Sequence, residues 1–460
     1  MNWTVEDAAR LLGAGLERSS REPVTSVVVD SRRAAPGSLF VALRGETLDG
    51  HDFVTHALRA GAAAAVTQRP VPDAPGPVLV VSDPVAALAR LAGWARDALD
   101  PIVVGVTGST GKTSVKDFLA SVARRGYATA ASERSYNNEI GVPLTLLSAP
   151  PGTEVVVCEM GSRGAGHLRQ ICEYARPVVG VVTNIGVTHY EQFGSRDAIA
   201  DAKAELIESL PDGGTAVLNA DDPLVAAMAR RTEANVVTYG TGPVAWLRAE
   251  RVRLNRLGCA RFALVRGFEA AEVELTVAGR HHVHNALAAA AAGLALGIPL
   301  FECRAGLQEA RASPWRMEVH EAGDVIVVND AYNASPTSMA AALETCGAIV
   351  PPHGRLVAVL GYMAELGDIE EAEHLRIGRL AAARAKQLIV VGGAAAGIAE
   401  GARGAGLEDV RVAEGRDEAL GLLAVRAGDV VLIKASRVAG LERLGDDLLG
   451  HLREGASWPT

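Results

Sequence analysis

The sequence predicts an α/β protein made of three units built on mostly parallel sheets. Three observations carry that expectation. At 460 residues the chain is longer than one core usually organises, so two to four domains are expected. Glycine is abundant, with 49 residues, while aromatics make up only 4%; such a chain packs helices closely on sheets and lets loops approach ligands. From Pro101 onward, short apolar runs of strand type alternate with helical stretches, the pattern of parallel strands buried on both faces.

The first unit, residues 1–99, opens on an amphipathic helical pattern, Val5, Ala8, Leu11, Leu12 and Leu16. Strand-like runs follow at Val27–Val29, Ser38–Leu43 and Val78–Val81, with a proline-rich loop at Pro70–Pro77. The second unit, residues 100–312, places strands at Ile102–Val106, Val155–Cys158, Val178–Thr183 and Ala216–Asn219. Residues 248–277 are strand-like without helices and predict an antiparallel edge, and an alanine-rich helix follows at 286–296. The third unit, residues 313–460, alternates again through Val325–Val328, Leu356–Leu360, Leu388–Val391, Val410–Val412 and Val430–Ile433. That rhythm predicts a smaller, doubly wound, Rossmann-like sheet.

Composition narrows the function. Apolar residues reach 49%, enough for a core in every unit, and the net charge is −9. A protein that coats nucleic acid or an anionic membrane is not expected from that balance. Five cysteines, scattered singly, form neither a CxxC pair nor an even framework, which fits a reducing cytoplasm. No leader peptide and no membrane span are expected, because no apolar run reaches the ~20 residues a span needs.

The strongest local signal follows the strand Ile102–Val106. There, Thr107-Gly108-Ser109-Thr110-Gly111-Lys112-Thr113-Ser114 leads into a helix expected at Ser114–Arg124. In such a loop the glycines admit the backbone close to phosphates. The lysine reaches the β- and γ-phosphates, and the threonine hydroxyl reaches Mg²⁺. Val106 occupies the position where the general phosphate-loop spacing has its first glycine, so this is a tighter variant. Glu159 ends the next apolar strand, at the sheet edge where ligands of parallel sheets bind, and His189 follows a strand at the same edge. Lys203 falls on the apolar stripe of the helix Arg196–Leu210, between Ile199 and Leu206. By spacing it is a snorkelling lysine whose stem covers the core; the sharper reading is a desolvated, nucleophilic amine.

In this order, Thr107–Thr113, Glu159, His189 and Ala202-Lys203-Ala204-Glu205 resemble the Mur ligase family, the ATP-dependent amide-forming enzymes of peptidoglycan precursor synthesis. Matching segments span nearly the whole chain. They include Asp30-Ser31-Arg32, Asp49-Gly50-His51, Tyr136-Asn137-Asn138, Thr183–Gly186, Asn219–Pro223, His281, Asn285, Arg316-Met317-Glu318 and Lys434-Ala435-Ser436-Arg437. Asn329–Pro336, with Ser338-Met339, is similar to the dipeptide-adding branch. His282 stands where the family usually has Asn, and Tyr362 where it usually has Asp.

The resemblance implies a cytoplasmic, monomeric enzyme that joins D-alanyl-D-alanine to UDP-N-acetylmuramoyl-tripeptide through an acyl phosphate. It implies that Thr107–Ser114, Asn285, Arg316 and Asp330 bind ATP. Thr113 and Glu159 would hold one Mg²⁺; His189 and an N6-carboxylysine formed on Lys203 would hold a second. Ser31, Arg32 and His51 would face the UDP-sugar in the first unit, and Asn138, Tyr332, Asn333 and Ser338 the peptides. The third unit would close on ATP. The rival readings are a sister ligase that adds a diamino acid, a folylpolyglutamate synthase-like ligase, and a P-loop ATPase switch.

Overall fold

The computed structural model describes residues 3–16, 20–45, 47–133, 135–188 and 190–453. Three main sheets organise them, one in each predicted segment of the chain. The first has five strands in the order Gly15–Leu16, Val78–Val80, Ala64–Thr67, Ser38–Val41, Ser26–Val28, parallel except for Gly15–Leu16 at one edge. The opening amphipathic run is shorter than its pattern. The helix Val5–Leu12 stops at Gly13, whose φ of +64° closes the last turn in the left-handed region, and the chain turns into the edge strand.

The second sheet has nine strands. Ile102–Thr107 lies near one edge, between Val179–Val182 and Val155–Glu159, and every pairing from Thr129–Ala131 across to Leu247–Leu254 is parallel. Leu247–Leu254, Cys259–Arg266 and Glu269–Ala278 form the antiparallel edge expected from residues 248–277. Valines buried on both faces explain why the central strands read as continuous apolar runs: Val104, Val106, Val155 and Val157 pack on one side, Val103 and Val156 on the other. The alanine-rich helix is longer than its pattern, His282–Ala295, and packs its alanines tightly against the helix Lys112–Ala123 and the sheet.

The third sheet has six strands, with Val325–Asn329, Val430–Lys434, Leu356–Gly361, Ala385–Val391 and Val410–Ala413 parallel in that order. Glu318–Ala322 pairs antiparallel on Val325–Asn329. Its polar, half-exposed residues hid this edge strand from any hydrophobic pattern. Among the described residues, no helix is long and apolar enough to cross a membrane.

Candidate active site

A cavity of about 890 Å³ opens where the carboxyl ends of the central strands meet the third sheet. Its floor is the phosphate loop. Gly108, at φ +138°, and Gly111, at φ +82°, adopt angles that side chains resist. A Cβ on Gly108 would strike the Thr183 hydroxyl, and one on Gly111 would strike the Asn285 side chain. The neighbouring strand end cinches the loop. Asn184 accepts hydrogen bonds from the Thr110 N–H and hydroxyl, at 3.1 and 3.0 Å, and the Thr183 hydroxyl donates to the Thr110 carbonyl at 2.6 Å. Because glycine tolerates the last loop position, the helix begins at Lys112, two residues before the expected Ser114.

Lys112 Nζ folds onto the loop, donating to the carbonyls of Gly108 at 2.7 Å and Ser109 at 3.1 Å. Burial holds its pKa below the usual lysine value; Glu159 works against that shift and Arg316 adds to it. Thr113 donates to Glu159 Oε2 at 2.7 Å, and Asn137 donates to Glu159 Oε1 at 2.8 Å. A buried carboxylate with both oxygens engaged is therefore fixed beside the phosphate loop.

Lys203 is buried, 3% exposed, and does not snorkel. Its Nζ donates to the Ser162 hydroxyl at 2.6 Å and lies 5.9 Å from the Phe193 ring centre. Burial pushes its pKa well below the usual lysine value, the positive charge of Lys112 adds to this, and Glu205 opposes it. The snorkelling expectation fails because the helix turns this face into the cavity wall, where the amine is buried and bonded to Ser162 rather than extended to the outer surface.

The third sheet supplies the cap. Arg316 Nη2 donates to Thr113 Oγ1 at 2.9 Å and to Ser135 Oγ at 3.2 Å, and its guanidinium stacks 4.1 Å from the Tyr332 ring centre. Asp330 receives Lys434 Nζ at 2.7 Å and the Met317 N–H at 3.0 Å. Lys434 also donates to the Asn333 carbonyl at 2.8 Å, which ties the strand 430–434 to the 330–333 loop. Met317 and Glu365, which line the cavity, and Trp315, next to Arg316, are non-glycine residues with φ of +50°, +63° and +60°.

Of the other expected site residues, Ser109–Ser114, Asn138, Asn285, Asn333 and Ser338 line the cavity, whereas Thr107 and Gly108 lie beneath it. Asn138 Oδ1 accepts the Ile140 and Gly141 N–H groups, so it shapes the start of the helix Gly141–Leu147 while its neighbour Asn137 holds Glu159. Ser338 forms a capping box with Ser335 at the helix Pro336–Ile349. Asn285 donates to His282 Nδ1 at 3.1 Å. His189 lies outside the described residues.

Ser31, Arg32 and His51 lie in the first unit, away from the cavity lining. Arg32 folds onto Asp30, whose carboxyl it holds down at about 2. His51 is buried with both ring nitrogens engaged: Nε2 accepts the Gln68 N–H at 2.8 Å, and Nδ1 meets Asp49 at 2.6 Å. Sequence reasoning assigned no role to Ser135, Asn137, Ser162, Asn184 or Lys434. Asn137, Asn184 and Lys434 sat in segments already singled out; Ser162, in the irregular segment after the strand Val155–Glu159, carried no signal.

A phosphate loop at the carboxyl edge of a parallel sheet, capped by arginine and aspartate from a second α/β unit, defines a nucleotide-binding enzyme of several units. The chain belongs to the Mur ligase family. Residues 23–94 match its catalytic domain, residues 106–293 its middle domain, and residues 315–437 its glutamate ligase domain. It is 40% identical to a UDP-N-acetylmuramoyl-tripeptide--D-alanyl-D-alanine ligase of Mycobacterium tuberculosis, over 97% of each chain. Among solved structures, MurF from Acinetobacter baumannii superposes with a TM-score of 0.88 at 30% identity, covering 98% of this chain and 99% of that one. The ADP complex of the MurF ligase from Thermotoga maritima superposes at 0.83 with 28% identity, covering 94% and 99%.

Proposed function

We propose that this chain joins D-alanyl-D-alanine to UDP-N-acetylmuramoyl-tripeptide, forming an amide while ATP becomes ADP and phosphate. One observation carries the reading. A single cavity sets the phosphate loop, the Thr113–Glu159 pair and buried Lys203 opposite Arg316, Tyr332 and Asp330. The full-length identity to a ligase of that name supports the substrate pair.

A carboxylate is a poor electrophile. Transfer of the γ-phosphoryl group from ATP to the terminal carboxylate of the tripeptide gives an acyl phosphate. The dipeptide amine attacks its carbonyl carbon, loses a proton, and the tetrahedral intermediate expels phosphate. Charge stabilisation is the main task of the protein in such a transfer. Lys112 and the loop N–H groups hold the β- and γ-phosphates, Asn285 supports the nucleotide end, and Arg316 and Asp330 complete the site from the third sheet.

The Thr113 and Glu159 oxygens, 2.7 Å apart, are hard donors of the kind Mg²⁺ prefers. Bound there, Mg²⁺ would neutralise charge on the phosphates. Lys203 fits a second site only after modification: its neutral amine adds to CO₂, releases a proton and becomes a carbamate, whose oxygens and His189 suit a second Mg²⁺. The pKa lowered by burial favours that addition.

The first unit, residues 1–99, takes the UDP-sugar end; Arg33 of that unit reaches Glu133 at 3.5 Å, beside the cavity-lining segment 135–138. Residues 100–312 hold ATP, and residues 313–460 close on it and receive the dipeptide. Substrates built on ATP and UDP support a cytoplasmic setting.

Phosphate release measured across a substrate matrix tests the reading. Release that requires both the UDP-tripeptide and D-alanyl-D-alanine is expected. Release with a UDP-dipeptide and a diamino acid would favour the sister reaction, and hydrolysis indifferent to both peptides would favour a switch ATPase.

A further inference from the structure

Arg437 is a cation in the cavity wall that the mechanism above does not use. It follows the strand Val430–Lys434 and is exposed. Among the described residues, no carboxylate lies within ion-pairing distance of it. Its guanidinium is nevertheless held in place, 5.3 Å from the Trp315 ring centre and 5.5 Å from that of Tyr332. Cation–π attraction to two rings holds the guanidinium near them without consuming its N–H groups, which stay available for an anion.

The Tyr332 ring serves two arginines. Arg316 lies 4.1 Å from its centre and reaches the phosphate loop through Thr113, while Arg437 approaches the same ring from the carboxyl end of the neighbouring parallel strand. Trp315, with φ of +60°, places its indole near Arg437 directly before Arg316, the residue that touches the loop. The cavity thus has two arginine stations joined by one aromatic ring. Beside Arg437, Val438 presents an apolar side chain, 77% exposed, to the same cavity.

We infer that Arg437 grips the C-terminal carboxylate of the incoming dipeptide and so orients its amine toward the phosphate-loop end. This rests on the ligase reading above. An acyl acceptor with a short apolar side chain and a terminal carboxylate matches an unpaired guanidinium beside an exposed valine. The fork pairs with the carboxylate through two parallel hydrogen bonds.

Ligation kinetics with D-alanyl-D-alanine and with its C-terminal amide test this, because the amide removes the charge and keeps the amine. The wild-type enzyme is expected to prefer the free dipeptide by about a hundredfold in kcat/KM, the scale for losing one partner of a close charge pair. Arg437→Gln is expected to raise the dipeptide KM by a similar factor and to bring the preference close to one. Its KM for ATP and UDP-tripeptide stays at the wild-type value. Arg437→Lys keeps the charge and loses the fork, and falls between the two. An Arg437→Gln enzyme that retains the wild-type preference, or whose main change is in the ATP KM, overturns the assignment. A wild-type enzyme that does not ligate the dipeptide at all overturns the ligase reading instead.

Discussion

The floor and the cap of the cavity are assembled in different ways. The floor is contiguous: residues 107–114 come from one strand–loop–helix turn, cinched by Thr183 and Asn184 from the adjacent strand. The cap gathers Arg316, Asp330–Tyr332 and Lys434 from three separated segments. Its charges satisfy one another through the Asp330–Lys434 pair and the stack of Arg316 on Tyr332. A floor built by backbone geometry holds its shape without the cap. A cap built by paired side chains loses its shape when one partner is removed.

Four measurements can break or sharpen that contrast. The largest effect belongs to the wall that rises from the floor. Lys203→Ala should lower ligation by at least about a thousandfold, the scale of losing a preorganised charge-stabilising group, with unfolding unchanged by circular dichroism. Formate or acetate should restore part of the rate by supplying an oxygen anion, whereas Lys203→Arg should not be rescued. An active Lys203→Arg enzyme independent of CO₂ would refute the carbamate.

Next comes the reach of the cap into the floor. On the proposed mechanism, Arg316→Gln should lower kcat about a hundredfold with a smaller change in the ATP KM, since Arg316 reaches Thr113 at the phosphate loop. An equal rise in KM at unchanged kcat would reduce Arg316 to a ground-state binder.

The third is a stability cycle within the cap. Lys434→Met strands the Asp330 carboxylate, 13% exposed, and should cost about 3 kcal/mol in urea unfolding. Adding Asp330→Asn should recover most of that loss, since a neutral amide tolerates burial without a counter-ion. Additive losses in the double variant would show that the pair does not hold the cap.

The smallest effect lies at the nucleotide end. His282 Nδ1 accepts from Asn285, and an asparagine oxygen can accept the same bond, so His282→Asn should keep the ATP KM within a few-fold. Burial holds His281 down at about 4 and His282 well below its usual 6.5. Both are neutral when folded and take up protons when unfolded. The contribution of His281 is therefore full above pH 6.5 and is lost as pH falls toward 4, and that of His282 is lost in the same direction below 6.5. In unfolding series across that window, His282→Asn should flatten the acid loss by one proton. An unchanged slope would place His282 outside the buried cluster.

The sequence by itself determined the three-unit α/β plan, the antiparallel edge at 248–277 and the phosphate loop. These rest on signals confined to neighbours in the chain: runs of apolar residues, glycines at the points of turning, and a lysine–threonine pair opening a helix. Three features were decided only by tertiary structure. Lys203 looked like a snorkelling residue because helical spacing reports which face is apolar and not what covers it. Asn137 rather than Asn138 grips Glu159 because a one-residue step turns adjacent side chains toward different neighbours. Lys434 and Asp330 stand 104 residues apart in the chain, and no pattern of local period connects them. Parallel sheets bring the carboxyl ends of distant strands to one edge, so the chemistry of the site is set by strand order, which local sequence does not encode.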